Sequence, residues 1–114
     1  MPMFTKAEIE AITPDLDGTY VWNGSSLLAE RPVIGFEVGY DEILNAGTEV
    51  ESVFLSYGDR IGRWTSPEGR VVWDRTAHVI APFGVAWTLA DSFQQEAIYD
   101  WATGKARNSA GEEV

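Results

Sequence analysis

The sequence predicts an α+β fold: a small antiparallel, twisted sheet or open barrel of about five to seven strands, a short N-terminal helix, and a C-terminal helix packed on the sheet. Three observations carry that prediction. Thr5 and Glu8 have the spacing of a capping box, with Phe4 and Ile9 placed as its hydrophobic staple. Ile34, Phe36, Val38 and Tyr40 alternate with Gly35, Glu37 and Gly39, the period of a strand with one buried face. Two turn signatures, Asn23-Gly24 and Ser66-Pro67-Glu68-Gly69, stand between apolar runs where hairpins reverse.

Taken in chain order, the first helix runs to about Ile12 and stops before Pro14. Asn23-Gly24 then closes a hairpin, because a type I′ turn needs positive φ at both central residues. In the next strand the interior glycines imply a bulge or the close approach of another backbone. Asp41 to Gly47 has the cap and stop of a helical turn or two. Val53, Leu55 and Tyr57 mark one side of a further strand, and the Ser66–Gly69 turn joins the two strands of a second hairpin. Residues 78–90 read as a strand pair reversing at Pro82-Phe83-Gly84, and 92–103 as an amphipathic helix capped by Ser92 and Gln95. The expected organisation is a single globular domain over 1–104, followed by a flexible acidic C-terminal tail over 105–114.

Several chemistries are excluded or disfavoured by composition. The absence of cysteine removes disulfides, thiolate metal sites and thiol nucleophiles. His78 is the only histidine, too few for a His-based zinc site, and its apolar setting suits a structural hydrogen bond. Neither a phosphate-binding glycine loop nor a G-x-S-x-G elbow is present. Glu37, Glu49 and Glu51 fall on expected strands, where a solvated carboxylate face outweighs catalysis. A net charge of -10 opposes direct binding to nucleic acid or anionic lipid. With no leader and no long apolar run, the chain is expected to be a soluble cytoplasmic protein that is not an enzyme and needs no cofactor.

One stretch departs from the acidic background. Residues 59–75, DRIGRWTSPEGRVVWDR, place Arg60, Arg63, Arg70 and Arg75 against three carboxylates, with Trp64 and Trp73 interleaved. If the turn is a three-residue loop with a bulged glycine, Arg63 faces Trp73, Trp64 faces Val72 and Ile61 faces Arg75. Neither face is then cleanly apolar, so either both faces are covered or one meets a partner. Trp and Arg dominate interaction hot spots. The leading expectation is therefore an acidic inhibitor, adaptor or assembly component, binding a protein partner or a second copy of itself through Arg60, Arg63, Trp64, Arg70, Trp73 and Arg75. Two alternatives stand beside it: a binder of a small, nucleotide-like anion through these arginines and aromatics, and a small carboxylate-based enzyme.

Overall fold

A computed structural model of the chain describes residues 3–43 and 52–114. The elements in order are β1 (Met3–Phe4), α1 (Lys6–Ile12), β2 (Gly18–Trp22), β3 (Leu27–Glu30), β4 (Phe36–Ile43), β5 (Val53–Phe54), β6 (Arg60–Thr65), β7 (Val71–Val79), α2 (Phe83–Ser92), β8 (Ile98–Asp100) and β9 (Lys105–Arg107). Seven strands form one sheet in the order β3-β2-β6-β7-β4-β8-β9, and β1 pairs with β5 in a second, two-stranded sheet. The larger sheet ends in β3 and β9, so it is open rather than closed into a barrel. The expected α+β class is what forms.

The residues gather into two compact units, Met1–Glu30 with Glu42–Arg75, and Arg31–Asp41 with Thr76–Val114. In the first unit, the capping box holds α1 as expected: Thr5 Oγ1 accepts from Glu8 N at 3.2 Å and Glu8 Oε1 accepts from Thr5 N at 3.0 Å. A seven-residue helix is too short to persist alone, and burial of Ile9 anchors it. Ile9 joins Tyr20, Trp22, Leu27, Leu55, Ile61 and Trp73 in one apolar cluster. Phe4 packs against that cluster and meets the Trp22 ring edge-on at 5.1 Å.

The Asn23-Gly24 hairpin forms, but its loop is not the two-residue type I′ turn. Trp22 pairs with Leu27, leaving four residues in the loop. Gly24 alone takes positive φ there, and Asn23 Oδ1 accepts from the amides of Ser25 and Ser26 at 2.9 and 2.8 Å. The side chain of Asn23 thus replaces the second left-handed residue. Tyr57 also departs from expectation. It lies in a turn at 83% exposure, because β5 ends at Phe54.

In the second unit, α2 occupies residues read as a strand pair, and the expected helix over 92–103 is absent. Phe83, Ala86, Trp87 and Ala90 have helical spacing, and Pro82 at the N-cap starts the helix instead of turning a hairpin. Ser92 to Gln95, read as a helix start, is a helix end. Gln94 N donates to Asp91 O and Gln95 N to Ala90 O, the paired bonds of a Schellman motif. Beyond it, Ile98 and Asp100 are buried while Tyr99 is exposed, the alternation of β8. Val38, Ala86, Ala90 and Ile98 form this unit's core, with Phe36, Phe83 and Trp87 against it.

Segment 105–114 carries elements where none was expected. Here β9 pairs with β8, and Val114 N donates to Ala106 O at 3.0 Å. The helical turn expected at Asp41–Gly47 begins instead as β4 up to Ile43, and the rest of it lies outside the described residues, as do Glu49 and Glu51.

Candidate functional site

The β6–β7 hairpin has the register its turn dictates. Ile61 pairs with Arg75, Arg63 with Trp73, and Trp64 with Val72. At the turn, Ser66 N donates to Arg70 O at 2.8 Å, Ser66 O accepts from Gly69 N at 2.8 Å, and Gly69 sits at φ +84°. Ser66 Oγ also accepts from Arg70 N at 3.1 Å. A Cβ there would meet no other part of the chain within 4 Å, so it is the left-handed φ itself, which residues with a Cβ rarely adopt, that favours glycine. Both faces of the hairpin carry buried residues: Ile61 and Trp73 on one, Gly62 and Val72 on the other.

Of the six residues singled out, four are engaged inside the first unit. Arg60 Nη1 reaches Glu30 Oε1 at 2.6 Å. Arg63, opposite Trp73, donates from Nη1 to Asp17 Oδ1 at 2.7 Å and from Nη2 to Asp15 Oδ1. Arg75 bridges to Asp59 Oδ2 at 3.2 Å and to the carbonyl of Phe54 at 2.6 Å. Trp73 is fully buried, and its Nε1 has no hydrogen-bond partner among the described residues. Such an orphaned donor opposes folding by roughly 1–3 kcal/mol.

Trp64 and Arg70 differ from these. Trp64 is 44% exposed and Arg70 is exposed at the turn. A backbone N–H bond first, and then the Ser66 hydroxyl, hold the Glu68 carboxyl below its ordinary value; burial opposes them and the charge of Arg70 adds to them. The hairpin tip is therefore ionised and solvated.

Comparison with protein families, with characterised proteins and with solved structures finds no match for this chain. The chemistry of its own side chains has to carry the reading.

Sequence reasoning misplaced Glu37. It is 5% exposed rather than part of a solvated face, and it accepts from Thr76 Oγ1 at 2.7 Å and from Trp101 Nε1 at 2.9 Å. Trp101 Nε1–H is the signal that could have located it, since the N–H of a half-buried indole usually finds an acceptor. Nearby in sequence, Asp100 meets Arg107 Nε at 2.8 Å. Burial pushes the Asp100 carboxyl up, but the hydrogen bonds from Arg107 and Ala102 and the charge of Arg107 outweigh it, so the net shift is downward. Among the described residues, no group of three or more His, Asp or Glu side chains could hold a metal ion. No described helix is long and apolar enough to cross a membrane.

A cavity of about 400 Å³ opens in the first unit, lined by residues that include Lys6, Glu10, Asp15, Arg63, Val71 and Trp73. It brings Arg63 and Trp73 of the hairpin together with α1 and the loop that follows it.

Proposed function

We propose that this chain is a non-enzymatic interaction protein that binds a protein partner through the outer end of the β6–β7 hairpin. The observation that carries the reading is the division of labour among its arginines and tryptophans. Arg60, Arg63, Arg75 and Trp73 fix the hairpin from within, while Trp64 and Arg70 remain outward at its end. Trp and Arg are the side chains most often found as hot spots, and a rigid element loses little conformational entropy on docking. The acidic remainder of the surface favours approach to a basic partner.

Native mass spectrometry of the tagged chain, gently purified from its host, tests this against a double variant, Trp64→Ala with Arg70→Ala. The wild type is expected to carry an added protein mass, or to run as a multiple of 12.6 kDa, and the variant to lose it. A bare wild-type monomer, or an added mass that the variant retains, contradicts the proposal.

A further inference from the structure

We infer that Asn23 is a site of spontaneous covalent modification: in the folded chain the backbone nitrogen of Gly24 attacks its side chain, and Asn23 becomes aspartate and isoaspartate. The two residues sit at the tip of the β2–β3 hairpin, and both are exposed. Such loop tips give solvent and local motion their easiest access to the backbone. Gly24 has no Cβ to shield its nitrogen, and among the described residues nothing accepts from its N–H. The loop also prepares the carbonyl to be attacked. Asn23 Oδ1 accepts from Ser25 N at 2.9 Å, from Ser26 N at 2.8 Å and from Ser25 Oγ at 3.1 Å. These donors polarise the Cγ carbonyl and stand where negative charge develops when a nucleophile adds to it.

The chemistry needs only water. Solvent base takes the Gly24 amide proton, and the nitrogen bonds to Asn23 Cγ. The tetrahedral intermediate breaks its Cγ–Nδ2 bond, ammonia leaves with a proton from water, and a succinimide ring remains. Water then opens the ring at one of its two carbonyls. Cleavage between Cγ and the ring nitrogen gives aspartate on an unchanged backbone. Cleavage between the main-chain carbonyl carbon and that nitrogen gives isoaspartate, with the backbone routed through Cγ and one methylene longer.

The two products differ in what they do to the hairpin. Aspartate keeps the acceptor for the Ser25 and Ser26 amides, now in charge-assisted bonds. Isoaspartate lengthens the loop between Trp22 and Leu27, which pair with each other and are both buried in the first unit's core. Asn108 supplies an internal comparison. Its Oδ1 likewise accepts from two amides, Ala110 N at 3.0 Å and Glu112 N at 3.1 Å. It is half-buried, however, and the residue that follows is Ser109, whose Cβ hinders the attacking nitrogen.

The test is to hold the full chain in mildly alkaline buffer, folded and in urea, and to follow the amide-to-acid mass gain at each asparagine by peptide mapping. Asn23 in the folded chain is expected to convert roughly tenfold faster than Asn108 or more, the ratio given by a barrier difference of about 1.4 kcal/mol. Gly24→Ala should slow conversion at Asn23. The isolated isoaspartate form should unfold at lower urea than Asn23→Asp, which should match the wild type. Four results would overturn the inference: Asn23 intact in the folded chain while it converts in urea; Asn108 converting as fast; no slowing in Gly24→Ala; or an isoaspartate form as stable as Asn23→Asp. The comparison with Asn108 is made within the wild-type chain, so the inference stays testable even if Gly24→Ala, at φ +96°, disturbs the hairpin.

Discussion

Gln94 holds φ +57°, and among the described residues no other non-glycine residue has positive φ. It is exposed, and it closes the Schellman motif that ends α2. A left-handed conformation is unfavourable for a residue with a Cβ and free of that penalty for glycine. Gln94→Gly is accordingly expected to raise stability by roughly 0.5–1 kcal/mol, read from urea unfolding. Gly35 is the converse case. At φ +87°, a Cβ there would lie 2.8 Å from His78 Nε2 and 2.9 Å from the carbonyl oxygen of Val79. Gly35→Ala should lower stability by about 1–3 kcal/mol in the same measurement. The interior glycines announce this close approach in the sequence, but which backbone comes near is a matter of tertiary pairing.

At the scale of elements, the hairpins and α1 were legible because their signals are local. Capping-box spacing and turn glycines act within five residues. The assignment failed where one local pattern serves two purposes. Ser92 to Gln95 can start or end a helix, and Pro82 can turn a hairpin or begin α2; packing of Ala86 and Ala90 into the core decides. The candidate site was half legible for the same reason. Register followed from the turn, whereas the carboxylates that hold Arg60 and Arg63 come from Glu30, Asp15 and Asp17, far along the chain. The contacts of Asp17 with β6 make a prediction of their own. Asp17→Ala removes the partner of Arg63 Nη1 and the acceptor of the Thr65 N–H and Oγ1–H, and should lower stability by about 1–2 kcal/mol, while Asp15→Ala, at a side chain 96% exposed, should change it by less than about 0.5 kcal/mol. The β8–β9 pair adds a pH dependence. The folded pKa of Asp100 lies below its ordinary 3.8, so its contribution is complete above that value and is lost as pH falls through the folded pKa. Asp100→Asn should therefore flatten the stability–pH curve in that acid window.

For the whole molecule, 18 acidic against 8 basic side chains make self-repulsion a general opponent of folding. Raising ionic strength from about 0.01 to about 0.1 M shortens the screening length from ~30 to ~10 Å. The melting temperature should rise over that range; a fall would mean that the surface ion pairs outweigh the repulsion.

The central claim is that the outer end of the β6–β7 hairpin is where a partner sits. A photo-crosslinking residue, p-benzoylphenylalanine, placed at Trp64 and in a separate chain at Val85, the exposed valine of α2, tests it in the host cell. The account predicts a discrete protein adduct or crosslinked dimer from position 64 and none from position 85. Adducts from position 85 alone, or none from either, would contradict it.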